Sequence, residues 1–466
     1  MTDAVIIVGG GVAGLTTAFE LKARGVPALV LEGSPRLGGN IRTTREDGFT
    51  VEWGPNGFLD NVPETLDLIR RLGAEAKLQP SSDASRRRFL YRRGRLRELP
   101  AKPLKFLASG ILTLGGRLRV LGEPFAKEAP PAAEDESVHA FATRRIGRQA
   151  ADVLVDAMVS GVFAGDSRRL SLRSTFPKMH AMESKHGSLF KAMKALGRAR
   201  REARRHGETV ADGGPAGPGG HLTSFGNGFE TLVAALLAAL PEDSVRTGAR
   251  VAEIARADDV WRIALEDGET LAAEQVVLAT PAWDAARFSR TVDEDLADHL
   301  DAIPGAGLAV VAAAWRDEDL PGPLDGFGFL IPRGEGPRSL GTLWDSSVFP
   351  GRAPEGHALL RTMIGGAHDP DAAALPDEAL LATVLADLRR TMGIAAPPRR
   401  TWIFRHPRGI PQYERGHGAR LDAIEDRLAR LPGLHLTGNS YQGVSVNLCV
   451  VDAARVAERI SAERRG

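Results

Sequence analysis

The amino terminus sets a glycine-rich turn between two short apolar runs. Residues 4–8 (AVIIV) have the β-branched composition of a fully buried strand, and Gly9-Gly10-Gly11-Val12-Ala13-Gly14 follows at once. Residues 12–24 then repeat apolar side chains at helical spacing, with Leu15, Ala18 and Leu21 on one face, and residues 28–32 (ALVLE) form a second buried strand. Parallel strands need a crossover helix, so this βαβ unit commits the chain to a parallel sheet. The G-x-G-x-x-G spacing is a dinucleotide fingerprint. Gly9 permits the tight turn, Gly11 lets a pyrophosphate approach the backbone, and Gly14 lets helix and strand close together. The helix N-terminus offers free N–H groups and partial positive charge to phosphates. Glu32, at the end of the second strand, is placed to accept ribose hydroxyls. In isolation the motif is also compatible with a glycine-rich turn that binds nothing.

The rest of the composition narrows the class. The 466 residues exceed what one core of ~250–300 residues holds, so several domains are expected. Sixty Lys and Arg against 59 Asp and Glu exclude the chain-wide basic footprint of a nucleic-acid binder. A hydrophobic share of 43% excludes a disordered chain. The single cysteine, Cys449, makes no intramolecular disulfide, which suits a reducing cytoplasm. No apolar run reaches the ~18 residues of a membrane span, and the amino terminus has no signal or transit pattern.

Along the chain, residues 86–119 hold eleven Lys or Arg against one acid, Glu98, with Phe89, Leu90, Leu99, Leu104, Phe106, Leu107, Ile111, Leu112 and Leu114 interleaved. This stretch reads either as a solvated helix face over core or as an interfacial patch for anionic lipid, where each cation near the surface adds ~1 kcal/mol. Residues 126–136 read as a linker and 138–160 as helical. Residues 198–206 are a charge run, and 206–220 form a flexible Gly/Pro-rich loop. Helices are expected at 229–240, 376–393, 419–430 and 446–463. Strands are expected at 245–254, 260–265, 269–278, 308–315, 325–331 and 434–437.

Further motifs extend the fingerprint. Arg36-Leu37-Gly38-Gly39 with Arg42 follows Glu32, and Leu434–Val446 (LHLTGNSYQGVSV) reads as a strand, a glycine-containing turn and a helix start. A glycine pair after the first βαβ unit and a second helix N-terminus near the carboxy end resemble the flavin amine oxidase superfamily. Residues 276–282 (VVLATPA) are similar to its middle strand. Gly54-Pro55-Asn56-Gly57, Arg88-Phe89-Leu90-Tyr91, Ser160–Asp166 (SGVFAGD), Gly326–Pro332 (GFGFLIP), Ile410-Pro411-Gln412-Tyr413 and Gly443–Asn447 (GVSVN) occur in that order. Together they resemble the oxygen-dependent protoporphyrinogen oxidase family over essentially the whole chain.

The resemblance implies an α/β fold with three parts. A discontinuous Rossmann-like FAD-binding domain takes residues 1–85, 221–290 and 415–466. A mixed-sheet substrate domain takes 291–414, and a helical membrane-associating domain takes 86–205. It implies non-covalent FAD held by Gly9, Gly10, Gly11, Val12, Ala13, Gly14, Glu32, Gly39, Asn40, Arg42, Gly54, Pro55, Asn56, Gly57, Val251, His406, Val444, Ser445 and Val446. Relatives carry Trp or His at the position of His406. Arg88 is implied to pair with a substrate propionate, since guanidinium binds carboxylate bidentately. The Gly161 carbonyl is implied to face the pyrrole N–H groups, and Leu330, Leu343 and Met363 to sandwich the macrocycle. Asn56, where relatives have Arg or Asn, is implied to sit beside the reacting methylene bridge. No His, Asp or Glu in the motifs presents itself as a general base and no metal is expected, which fits the implied chemistry, in which the flavin takes the hydride and the protein supplies orientation and electrostatics.

The implied reaction is six-electron oxidation of a porphyrinogen with O2 as oxidant, with hand-over to a ferrochelatase, peripheral contact with the cytoplasmic membrane and a homodimer as further expectations. Coproporphyrinogen III in place of protoporphyrinogen IX is the nearest alternative. An amine oxidase would need a flavin-side lysine from the second half of the chain, yet no lysine follows Lys194. A carotenoid desaturase lacks the Gly161–Asp166 and Ile410–Tyr413 motifs, and a non-catalytic FAD protein is the remaining alternative.

Overall fold

A computed structural model describes residues 3–100, 105, 108–127, 135–205 and 220–465. Lys102, Leu104, Phe106 and Leu107 of the basic stretch, most of the 126–136 linker and nearly all of the 206–220 loop lie outside the described residues. The first apolar runs form the centre of a five-stranded parallel sheet. Its order is Val245–Thr247, Ala28–Glu32, Val5–Val8, Val276–Leu278, Leu434–Leu436. Alternate residues feed two cores. Val5, Ile7, Val30 and Val277 pack with the helices Val12–Ala23, Pro63–Arg71, Thr231–Ala238 and Val446–Glu463. Ile6, Val8, Val276, Leu278 and Leu436 pack on the other face with Trp261, Ile263 and the helices Ala282–Ser289 and Glu294–Asp301. Burial on both faces is why these strands read as unbroken apolar runs.

Two strands expected as continuous are each divided between sheets. Gly248, at φ +70°, turns the chain between Val245–Thr247 of the parallel sheet and Val251–Ala257. The latter opens a three-stranded antiparallel sheet with Val260–Leu265 and Thr270–Ala273. The run 269–278 likewise splits into Thr270–Ala273 and Val276–Leu278. Apolar composition does not distinguish one sheet from the other.

A second, larger sheet has seven strands, ordered Arg400–Pro411, Gly305–Arg316, His357–Gly365, Ser339–Leu343, Gly328–Leu330, Arg88–Arg92, Arg95–Glu98. The last two correct the expectation of a helical segment beginning at residue 86. Arg88–Arg92 and Arg95–Glu98 form a hairpin whose two central residues, Arg93 and Gly94, have φ of 53° and 77°. Positive φ at both positions matches the right-handed strand twist. The density of arginine obscures the period-two alternation there, with Leu90 and Tyr91 buried on opposite faces. One face of this sheet is covered by the helix Asp377–Met392, and the other turns toward the parallel-sheet half of the molecule.

Beyond the hairpin the described residues form the helices Leu114–Leu121, Val138–Ile146, a helical run from Arg148 to Phe163, Pro177–His186 and Leu189–Arg205. A buried ion pair organises them. Glu123 and Arg145 are both fully buried and paired, and Glu123 also accepts from Ser188 Oγ and from the backbone N–H groups of Leu189 and Phe190. That carboxylate therefore serves the otherwise unsatisfied N–H groups of the last helix. Among the described residues no helix is long and apolar enough to cross a membrane.

Candidate functional site

The glycine turn builds a cradle at the carboxyl edge of the parallel sheet. Gly9 N–H donates to Leu31 O at 2.8 Å, at φ +109°. A Cβ on Gly14 would stand 2.0 Å from Gly9 O, so only glycine lets this helix, with Val12 and Ala13 in its first turn, seat on the strand. A Cβ on Gly11 would meet nothing within 4 Å. The space beside Gly11 is open where a pyrophosphate is expected. Glu32 accepts from the N–H of Gly10 and the N–H of Ser34, both at 2.8 Å, which fixes its carboxylate at the cradle's edge. Val251 is buried nearby. Its carbonyl accepts from Arg287 at 3.4 Å, and neighbouring Ala249 N–H donates to Glu32 O.

The Arg36–Gly39 segment lies across this cradle. Gly38 N–H donates to Gly10 O at 2.8 Å, and Gly39 comes against Gly11. Arg36 holds the segment through Leu37 O and Gly39 O. Burial, with the neighbouring Arg42 charge, lowers its pKa from the usual arginine value. Arg42 stacks its guanidinium 3.5 Å above the Trp53 ring.

A second group of expected cofactor residues gathers between the two halves of the molecule. A Cβ on Gly54 would stand 2.6 Å from Asn40 O, and one on Gly57 2.3 Å from Thr223 O, so the Gly54–Gly57 loop, with Pro55 half-buried in it, is closely backed. His406 donates from Nε2 to Trp53 O at 2.9 Å, and burial lowers its pKa, favouring the neutral ring. Asn40 Nδ2 approaches Gly409 O at 3.5 Å. From the carboxy end, Ser445 caps the helix Val446–Glu463 by accepting the Leu448 N–H, with Val444 just before it. Asn447 Nδ2 donates to Leu59 O at 2.8 Å, tying that helix start to the chain leaving Gly57. Asn56 donates to Asp345 Oδ1 at 3.4 Å, while its Oδ1 is buried without a partner among the described residues.

Strand register brings the expected substrate residues onto one sheet face. Cross-strand partners share a face. One row runs Arg88, Gly328, Leu343, Arg361, and the next runs Leu90, Leu330, Gly341, Met363. Leu330, Leu343 and Met363 are only half-buried although they stand on inner strands, so they line a cleft. Gly161 closes on it from the helix Asp156–Phe163, where a Cβ would stand 2.4 Å from Leu330 Cδ2. Arg88 is exposed, and desolvation by the neighbouring protein lowers its pKa from the usual arginine value. Its guanidinium lies 5.1 Å from the Phe327 ring, and among the described residues no carboxylate pairs with it.

Four residues that no motif singled out hold the two halves together. Arg352 and Glu52 form a fully buried pair at 2.6 Å. Arg361 pairs with Asp345 at 3.0 Å and donates to the carbonyls of Glu52 and Gly54. Burial pushes the Glu52 and Asp345 carboxyls up, and the partner arginines oppose it. No sequence signal marks these pairs, because Glu52 and Arg352 stand 300 residues apart. Elsewhere Asp156, Asp166 and His368 gather within 4.8 Å, but Arg333 already supplies their cation.

Comparisons with known proteins agree with this geometry. The family model "Flavin containing amine oxidoreductase" matches residues 12–461. A coproporphyrinogen III oxidase of Bacillus subtilis is 30% identical over 96% of this chain and 95% of its own. A protoporphyrinogen oxidase of Bos taurus is 33% identical over 99% and 98%. A crystal structure from Exiguobacterium sp. 255-15, described as a candidate protoporphyrinogen oxidase, superposes with a TM-score of 0.85 at 26% identity, covering 99% of both chains. A flavin carried on a dinucleotide cradle is FAD. With that cofactor, the chain is an oxidoreductase and belongs to the flavin containing amine oxidoreductase family.

Proposed function

We propose that the protein oxidises protoporphyrinogen IX to protoporphyrin IX, with O2 as the final acceptor. The observation that carries this reading is the Arg88 guanidinium, which pairs with no carboxylate among the described residues, on the same sheet face as the apolar Leu330, Leu343 and Met363. Arg361 pairs with Asp345, Arg352 with Glu52, Arg92 with Glu335 and Arg333 with Asp156, whereas Arg97, opposite Leu90 at the same end of the sheet as Arg88, donates to Arg92 O and Ser109 O. A flat apolar ring with carboxylates on one edge fits a cleft with one cationic end. Coproporphyrinogen III, with four carboxylates, would place two of them against the apolar row. That second reading is kept because the Bacillus subtilis relative carries that name.

In this reading FAD, when bound, accepts two electrons per round and passes them to O2. Three rounds remove six hydrogens from the macrocycle, so one porphyrinogen and three O2 give one porphyrin and three H2O2. The protein's part is orientation. Arg88 fixes the propionate edge, the Gly161 carbonyl accepts from pyrrole N–H groups, and the apolar row excludes water. The Asn56 amide, held by Asp345, would lie between cofactor and substrate in this reading. Gly9 through Gly14, Glu32, Gly39 and Arg42 serve the dinucleotide end of FAD, with Asn40, Gly54 through Gly57, His406 and Val444 through Val446 at the flavin end.

The molecule also presents a surface suited to peripheral contact with an anionic bilayer. Leu114, Leu118 and Leu121 form one exposed stripe, and Phe125 beyond them is 91% exposed. No acidic residue occurs between Glu98 and Glu123, so the cations there face no counter-charge from that stretch. Co-sedimentation with vesicles containing phosphatidylglycerol is expected, and Leu118→Ser with Phe125→Ser should abolish it. Equal recovery of wild type and variant in the supernatant would remove the membrane reading.

Three outcomes test the catalytic reading. Gly11→Ala should leave the melting temperature of the apoprotein unchanged, since the new Cβ meets nothing within 4 Å at φ −74°, yet weaken FAD binding measured by flavin fluorescence. Unchanged FAD affinity would displace the cradle. Arg88→Ala should raise KM about ten- to hundredfold, the loss of a charge-assisted hydrogen bond, with bound FAD intact. Loss of flavin in that variant would show that Arg88 faces the cofactor instead. In side-by-side turnover followed by porphyrin fluorescence, protoporphyrinogen IX should be oxidised faster than coproporphyrinogen III, and the reverse order would select the second reading.

A further inference from the structure

Ile410-Pro411-Gln412-Tyr413 ends the Arg400–Pro411 strand, and neither cofactor nor substrate contacts account for it. Gln412 and Tyr413 are almost fully buried. Gln412 Nε2 donates to Phe163 O at 2.8 Å and to Ile410 O at 3.0 Å. Phe163 ends the helix that carries Gly161, so Gln412 holds the C-terminal end of the helix facing the cleft. Tyr413 works in the other direction. Its hydroxyl donates to Asn439 O at 2.6 Å and accepts from Gly443 N–H at 2.8 Å. Its ring stacks on His417 with centroids 4.1 Å apart, and His417 Nε2 donates to Tyr441 O at 3.2 Å. Two side chains thus hold three backbone groups of the 439–443 loop.

That loop needs holding. It is bounded by Gly438 and Gly443 at φ +127° and +141°, conformations that leave the backbone free to choose other paths. It leads directly into Val444, the Ser445 cap and the start of the helix Val446–Glu463. Adjacent residues of an extended chain point in opposite directions, so one dipeptide reaches both the Gly161 helix and the flavin-side loop. We infer that Gln412 and Tyr413 are positioning residues that set the separation between the substrate-facing helix and the flavin-side loop. The inference rests on the reading that Gly161 faces the porphyrinogen and Val444 through Val446 face the flavin. Its leverage is geometric, because reacting atoms must approach to about 3–3.5 Å and a misplacement of about 1 Å costs on the order of a hundredfold in rate.

Tyr413→Phe tests this in the FAD-loaded protein, because it keeps the ring and its stack on His417 and removes only the hydroxyl. Gln412→Leu reads the opposite arm and stands in should Tyr413→Phe not fold. Each is compared with wild type by amide hydrogen exchange, by the visible spectrum of the bound flavin and by anaerobic flavin reduction. Tyr413→Phe should accelerate exchange at Gly443, shift the flavin spectrum, and slow flavin reduction by protoporphyrinogen about ten- to hundredfold with KM within about twofold. Gln412→Leu should slow reduction without changing exchange at Gly443. Faster exchange at Gly443 with a wild-type spectrum and reduction rate would overturn the inference, leaving the dipeptide a plain packing contact. If porphyrinogen fails to reduce even the wild type, the substrate reading falls, and the flavin spectrum of Tyr413→Phe still decides whether the hydroxyl positions the cofactor loop.

Discussion

Arg361 stands at the junction on which the site depends. It rises from the cleft face of the seven-stranded sheet, opposite Leu343, and is almost fully buried. There it pairs with Asp345 and donates to the carbonyls of Glu52 and Gly54. A buried guanidinium is costly unless its donors are matched, and such pairs rarely add net stability over apolar packing. What they supply is a single geometry: any slip of the sheet against the 52–57 segment leaves a charge unpaired, at a cost of about 3–5 kcal/mol. Arg352, pairing with Glu52 and reaching Ser224 Oγ, fixes the same segment from a second point. The apolar row and the Gly54–Gly57 loop therefore hold one spacing.

Around that junction the site is assembled from distant parts of the chain. The dinucleotide cradle comes from the first forty residues, and the opposing helix start comes from the last twenty-five. The cleft combines the Arg88 hairpin, the Gly161 helix and three strands between residues 328 and 365. Each half alone would offer an open surface. The hydroxyl of Tyr413 on the 439–443 loop ties one half to the other, and the Asn447 tether to Leu59 fixes the helix start within the parallel-sheet half.

Local signals made part of this legible in the sequence. The Gly9–Gly14 turn and the helices near both ends follow from short-range sterics and periodicity, which act within a few residues. The register that puts Leu330, Leu343 and Met363 on one face is not local, and those positions came from family resemblance. The Arg88–Glu98 hairpin departs from the helical segment expected there because exposed arginines on both strands hide the alternation. The runs at 245–254 and 269–278 were read as single strands because buried strands of two sheets share one composition. The ion pair of Glu52 with Arg352 has no signature at all, since charge complementarity across 300 residues leaves no spacing to detect.

The central claim is that a porphyrinogen in this cleft passes its electrons to FAD. It is tested most directly by anaerobic mixing of the FAD-loaded protein with excess protoporphyrinogen IX, following flavin absorbance. Rapid bleaching of the oxidised flavin band is predicted, with the band returning and H2O2 forming when O2 is admitted. A flavin that stays oxidised in the presence of the porphyrinogen, although dithionite reduces it, would contradict that claim.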